Sequence, residues 1–255
     1  MERIKCTIAY DGTDFSGYQV QPNGRTVQGE IERILTRMHK GQPIRIVASG
    51  RTDSGVHAKG QVIHFDSTLN VPVDGWLKAL NAQLPKDIQA VMVEKVTRDF
   101  HARFNSKMKE YRYRILNRPE RDLFRRNYVH HVSDVLDVKK MQEAAEYFIG
   151  EHDFTSFCAS GTSVQDKVRT IYELDVITAG DEIVVRVVGN GFLYQMVRII
   201  VGTLLEVGKG KMDPGHIKDI LVAKDRRSAP ATAPPQGLYL WQVNYEKQTG
   251  FSIMT

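Results

Sequence analysis

Residues Ser49 to Ala58 read Ser-Gly-Arg-Thr-Asp-Ser-Gly-Val-His-Ala, which puts one carboxylate two residues from one guanidinium. Gly50 and Gly55 bracket Arg51, Thr52, Asp53 and Ser54, a composition suited to a tight loop presenting side chains from the end of a strand. Asp53 in such a loop has two uses. It can close an Asx turn on its own backbone. Alternatively, with Arg51 keeping it ionised, it can act as a nucleophile or base in a partly dry cleft. The nearby Arg51 favours the chemical use.

Arg198 is the second unusual residue. Met196, Val197, Ile199, Ile200, Val201, Leu204 and Leu205 make its segment apolar nearly all round, which implies burial. A buried guanidinium must meet an anion or reach a cleft; the alternative is an Arg that snorkels to the surface.

Other motifs fail on spacing. Gly208-Lys209-Gly210-Lys211 lacks the upstream glycine and the following Ser or Thr of a P-loop, and Gly189-Asn190-Gly191 lacks the third glycine of a dinucleotide fingerprint. His57 and His64 stand seven apart and His130-His131 are adjacent, so neither resembles a zinc set, and no metal is expected. Cys6 and Cys158 are the only cysteines, too few and too far apart for a disulfide framework. No apolar run approaches the ~18 residues of a membrane span. The charged N-terminus, Met1-Glu2-Arg3-Ile4-Lys5, is unlike a signal peptide. A cytoplasmic protein is expected.

The 255 residues carry a net charge of +5. Between Arg98 and Arg126 lie ten Lys or Arg against four Asp or Glu, leaving the rest of the chain near neutral. Phe100, Phe104, Tyr111, Tyr113 and Phe124 interleave those cations. That mixture suits a polyphosphate backbone with bases to stack on, or else a solvated charged face.

The elements that would position these residues follow from periodicity. Arg3–Tyr10 alternates as a strand, and Val27–His39 has helical spacing with Thr26 as N-cap. Strands over Ile44–Ser49 and Gln61–Phe65 flank the Asp53 loop, followed by a helix over Val73–Gln83 and a strand over Ile88–Lys95. The order begins again with a strand at Lys109–Ile115, a helix at Val138–Phe148, and strands at Arg169–Ile177 and Glu182–Val188. Helices at Leu193–Val207 and His216–Ala223 follow, then an ordered loop over Ser228–Pro235 and a strand at Leu238–Tyr245. This predicts an α+β protein of two similar domains, 1–104 and 105–255, each a mostly antiparallel sheet with helices on one face and the active-site cleft between them.

Several blocks, taken together, resemble the bacterial tRNA pseudouridine synthase A (TruA) family. They are Tyr10-Asp11-Gly12-Thr13 with Phe15-Ser16-Gly17-Tyr18-Gln19, then Thr26-Val27-Gln28, Gly50 to Ala58, and Lys109-Glu110-Tyr111-Arg112-Tyr113. Gly191-Phe192-Leu193, Met196-Val197-Arg198, Val201-Gly202-Thr203-Leu204, Ala233-Pro234 and Gly237-Leu238-Tyr239-Leu240 complete them in family order. Ser54 stands where the family usually has alanine, and Tyr18 where it usually has tryptophan. The resemblance implies a homodimeric enzyme that turns uridine into pseudouridine at tRNA positions 38, 39 and 40, with no cofactor. It implies Asp53 as catalytic nucleophile, with Tyr111, Arg51 and Arg198 as substrate-binding residues. Tyr111 would contact the target base and is also a candidate acceptor for the C5 proton. Asp53 is then the natural partner for the Arg198 guanidinium, and a salt bridge between them inside the cleft is expected.

Two rivals remain at this point. One is an RNA-binding protein of the same layout without catalysis. The other is a glycoside hydrolase, which needs a second carboxylate roughly 5–10 Å from Asp53, with Asp11 or Asp14 as candidates.

Overall fold

Ile4, Cys6, Ile8 and Tyr10 are all buried along β1 (Glu2–Tyr10), the period-2 alternation of a strand with one covered face. A computed structural model of the chain describes residues 1–246; the last part of the expected second domain, 247–255, lies outside the described residues. Helix α1 (Val27–Met38) starts where expected, with Thr26 Oγ1 accepting the Gly29 N–H at 3.2 Å. The strand expected over Ile44–Ser49 shrinks to β2 (Val47–Ala48). Ile44 and Ile46 are still buried, but Thr36 Oγ1 accepts the Ile44 N–H and Glu32 Oε1 that of Ile46. Helix α1 therefore takes the amides that a strand partner would need.

β3 (His57–Ser67) extends further than Gln61–Phe65 and is followed by α2 (Val73–Asn81) and β4 (Ile88–Val96). The second half runs β5 (Met108–Asn117), β6 (His130–Val132), α3 (Val138–Glu146), β7 (Gly150–Asp153), β8 (Val168–Ala179) and β9 (Glu182–Gly189). It closes with α4 (Met196–Gly208), α5 (His216–Ala223) and β10 (Leu238–Asn244). β6 and β7, only three and four residues long, are too short to give a readable alternation and fall outside the expectation from periodicity. Helix α4 starts three residues later than periodicity suggests, because Gln195 takes a left-handed conformation (φ 58°) that breaks the helix there.

The fold is α+β with a mostly antiparallel sheet. Its strand order among the described residues is β4-β1-β3-β10-β5-β9-β8-β7, with β2 on β3 and β6 on β5. The two halves meet edge to edge through the last strand. β10 runs antiparallel to β5, and it joins β3 in parallel through Tyr239 opposite His57 and Leu240 opposite Ala58. That junction sets the C-terminal half beside the segment that begins just after Asp53. The Ala-rich segment before β10 is an ordered loop laid on α4. A Cβ on Gly202 would stand 2.0 Å from Ala231 O, so only glycine permits this approach.

Cys6 and Cys158 are both buried and unpaired, and burial pushes the Cys6 thiol up to about 12. Burial also pulls His64 and His130 down to about 4, helped by nearby cations, among them Arg3 for His64 and Lys209 for His130. Both histidines fold neutral. Their contribution to stability is complete above the ordinary value near 6.5 and is lost as pH falls from there towards 4, where the unfolded chain binds more protons. The thermal midpoint is expected to drop over that interval, and His64→Gln should shrink the drop. A melting series from pH 7.5 to 4 that is identical for the two proteins would contradict this.

Candidate active site

The loop carrying Asp53 is fastened from several sides. Ser49 N–H donates to Val62 O at 2.8 Å, and Ser49 Oγ donates to Gln61 Oε1 at 2.6 Å. Gln61 Nε2 returns a bond to Gly50 O at 2.8 Å. Tyr10 OH and Thr52 Oγ1 share a hydrogen bond at 2.7 Å, and Tyr18 N–H donates to Thr52 O at 3.0 Å. Gly55, at φ +76°, turns the chain back into β3 in a region disfavoured for side-chain-bearing residues. These bonds leave the position of Asp53 little freedom before any substrate arrives.

The Asp53 carboxylate is turned towards Arg198 rather than towards its own backbone. Arg198 Nη1 donates to Asp53 Oδ2 at 2.9 Å, with the side chains 12% and 22% exposed. Across 145 residues of sequence, this is the salt bridge expected from the apolar character of α4. Arg198 Nε also donates to Ala233 O at 2.7 Å, while Ala233 N–H donates to Arg198 O at 3.0 Å. Tyr113 OH holds the next carbonyl, Pro234 O, at 2.8 Å. The loop before β10 therefore fixes the guanidinium that fixes Asp53, a link no local pattern in the sequence could reveal.

Arg198 stands behind Asp53 at the edge of an open space. A cavity of about 930 Å³ is lined by Arg51, Asp53, Lys109 and Tyr111, among others, and α4 contributes Met196 and Val197 to it. Arg198 reaches the cavity through Asp53, the lining residue it pairs with, and is not itself among the lining residues. Arg51 lines the cavity but is exposed and makes no ion pair among the described residues. The cation paired with Asp53 is the distant Arg198, not the neighbouring Arg51. Both side chains line the same cavity without pairing, so sequence proximity misled here.

Tyr111 is 8% exposed on β5 and meets Phe192 edge to face, with ring centroids 5.1 Å apart. Burial, reinforced by Tyr10 and the Asp53 charge, pushes its phenol well above the ordinary value. The phenol therefore keeps its proton at neutral pH, and it cannot take the C5 proton without first losing its own. Its ring remains a flat apolar wall of the cavity, two residues along β5 from Lys109.

The second carboxylate that a glycoside hydrolase needs is missing from the described cavity lining. Asp53 is the only Asp or Glu among those residues. Asp11 accepts from Tyr128 OH at 2.7 Å and from Thr13 Oγ1, and it lies 3.2 Å from His57 Nδ1. Neither Asp11 nor Asp14 lines the cavity. No cluster of three or more His, Cys, Asp or Glu that could hold a metal occurs among the described residues. None of the described helices is long and apolar enough to cross a membrane.

The basic window is not a single surface. Arg112 pairs with Glu110, Arg114 with Glu182, and Arg125 with Asp122, Asp181 and Glu182. Arg118 joins Asp122 and Asp181. These four cations serve the sheet and its adjoining loop. From the same window, Arg103 and Lys109 line the cavity without a carboxylate partner among the described residues. The sequence holds both inside a longer run and offers no means of separating them from their paired neighbours.

A family model described as tRNA pseudouridine synthase matches residues 7–105 and 144–246. This chain belongs to the tRNA pseudouridine synthase family. Curated relatives agree with that membership of an isomerase family. The tRNA pseudouridine synthase A 1 of Bacillus cereus (strain ATCC 14579) is 58% identical over 245 residues, covering 96% of this chain and 99% of its own. The tRNA pseudouridine synthase A of Geobacillus kaustophilus is 57% identical over 247 residues, covering 97% and 96%. That of Brevibacillus brevis is 58% identical over 245 residues, covering 96% and 100%. The first matched segment holds β3 and Asp53 and the second holds Arg198 and β10, while β5 lies between the two.

Proposed function

We propose that this chain isomerises uridine to pseudouridine at positions 38, 39 and 40 in the anticodon arm of tRNA, with the Asp53 carboxylate as nucleophile and no cofactor. The observation that carries the chemistry is a single carboxylate, held by Arg198, in a cavity whose other ionised lining groups are cations. The reaction breaks the N1–C1′ bond, turns the freed uracil and joins C5 to C1′. N1 gains a proton and C5 loses one, so no electrons enter or leave and no external energy source is required. A carboxylate serves this by bonding to C1′ or to the pyrimidine ring, or by removing a sugar proton.

A stacked nucleotide cannot reach such a site. It must be extruded at a cost of a few kcal/mol. The Tyr111 ring, already set against Phe192, offers a face for the extruded base. Exposed Arg51 at the cavity lining suits the gap left in the RNA or an adjoining phosphate. The working enzyme in this reading is a cytoplasmic homodimer of two-domain subunits, divided near Phe104. The choice of positions 38 to 40 rests on the family resemblance.

Purified protein incubated with unmodified tRNA transcripts bearing uridine at 38, 39 and 40 tests the reading, with pseudouridine mapped by chemical labelling and mass spectrometry. New pseudouridine confined to those positions is the expected result. Tight tRNA binding with no conversion would leave only the RNA-binding reading, and conversion confined to other positions would overturn the site assignment.

A further inference from the structure

Lys109 lies on β5 two residues before Tyr111, half-buried against the Asp53 loop. Its ammonium donates to Ser49 O at 2.7 Å and stands 3.4 Å from where a Cβ on Gly50 would sit. An ammonium has three N–H donors, and the Ser49 carbonyl takes one of them. Among the described residues no carboxylate pairs with Lys109, nor with the two nearby cations, Arg103 and Arg169. Elsewhere on the same strand and its adjoining loop, half-buried cations hold acids, as Arg112, Arg114 and Arg125 do. Lys109 and Arg103 line the cavity, while Arg169, whose Nη1 donates to Asp166 O and Val168 O, adds its charge from outside the lining. Like charges held close without a counter-ion are costly to keep together. That cost is removed when an anion arrives.

We propose that Lys109, flanked by Arg103 and Arg169, forms a subsite for one backbone phosphodiester of the RNA strand, next to the nucleotide presented to Asp53. The proposal rests on the RNA-modifying function above. Lys109 and Asp53 line one cavity, and the same ammonium holds Ser49 at the root of the Asp53 loop. Every ribose has a phosphate on each side, so a nucleotide whose C1′ faces Asp53 brings a phosphate into its vicinity. Charge-assisted N⁺–H···O⁻ bonds would engage it. Phosphate capture and loop position would then be coupled through one side chain. Burial, with the two arginine charges adding to it, pulls the Lys109 ammonium down to about 8. Lys109 is therefore charged at neutral pH and loses its charge above about 8, while the two arginines keep theirs.

The test uses an anticodon-arm hairpin whose affinity is measured against KCl concentration for wild type, Lys109→Gln, Lys109→Arg and Arg169→Gln. Wild-type conversion of the same hairpin is followed in parallel. Lys109→Gln keeps an N–H for Ser49 O but removes the charge. Its log–log salt slope should be smaller by about 0.7–0.9, one phosphate contact, while Lys109→Arg keeps the wild-type slope. Arg169→Gln lies away from the Asp53 loop, and a reduced slope there would support the cluster independently. A single uncharged methylphosphonate beside the target uridine should weaken wild-type binding several-fold and cost Lys109→Gln nothing further. An unchanged slope in Lys109→Gln, or a full methylphosphonate penalty in it at every flanking position, would overturn the subsite. Wild-type protein that binds the hairpin without converting it would refute the proposed function, leaving the slope comparison to decide the subsite alone.

Discussion

Asp53→Asn protein is expected to bind tRNA with near wild-type affinity and to convert no measurable uridine. The amide matches the carboxylate in shape and still presents an oxygen to Arg198 Nη1, so the 2.9 Å contact has an acceptor in the variant. It lacks the anionic oxygen that would attack C1′ or the ring, or abstract a proton. An interaction made only in the transition state shows its loss in turnover and not in ground-state binding. Arg51, Arg103 and Lys109, the cations of the cavity lining, are untouched by the change. Single-turnover conversion with enzyme in excess over tRNA isolates the chemical step. Conversion above about one percent of the wild-type rate would remove Asp53 from the role of nucleophile.

Arg198→Met should lower the single-turnover rate by about 10²-fold or more, the scale seen when one preorganising donor is lost from a catalytic site. Methionine occupies similar apolar space among Val197, Ile199 and Val201, which are buried on α4, so the protein should remain folded. The backbone bond from Ala233 N–H to Arg198 O also survives the change. What disappears is the fork that holds Asp53 Oδ2 and Ala233 O together. Asp53 then keeps its loop anchors but loses its orientation. A lysine in place of this arginine would offer a point charge without the planar fork, so Arg198→Lys should recover only part of the rate. Circular dichroism melting beside the rate measurement separates the outcomes. A folded Arg198→Met protein with wild-type turnover would show that the salt bridge is structural.

The Asp53–Arg198 pair joins the two halves of the chain. Asp53 stands between β2 and β3, Arg198 lies on α4, and the loop before β10 locks the arginine. β10 then runs between β3 and β5, so the Asp53 loop and Tyr111 are carried by strands on either side of one shared neighbour. The proposed positioning of substrate and the proposed chemistry thus depend on the same sheet junction. Lesions at Ala233 or Gly202, remote in sequence from Asp53, act on its support.

Local order was legible in the sequence because it depends on short-range patterns. The alternation of β1, the Thr26 cap of α1, and the apolar circumference of α4 each arise within about a dozen residues. The partial burial of Arg198 followed from that circumference, and its need for an anion followed from the cost of an unpaired guanidinium. Family blocks then named Asp53, Tyr111 and Arg51 as site residues. Only the tertiary structure decided which charges meet. Arg51, two residues from Asp53, is exposed at the cavity lining and pairs with no acid among the described residues, whereas Arg198 reaches Asp53 across 145 residues, because helix packing and loop docking set that distance. The basic window looked uniform because, besides Glu110 and Asp122 within it, its cations pair with Asp181 and Glu182, which arrive from the turn into β9 and are invisible in the window itself. β2 shortened because side chains of α1 captured its amides, a competition between elements that periodicity cannot register. Lys109 stands out only once its missing partner is visible, since a lysine's lack of a counter-ion is a property of the fold and not of its neighbours in sequence.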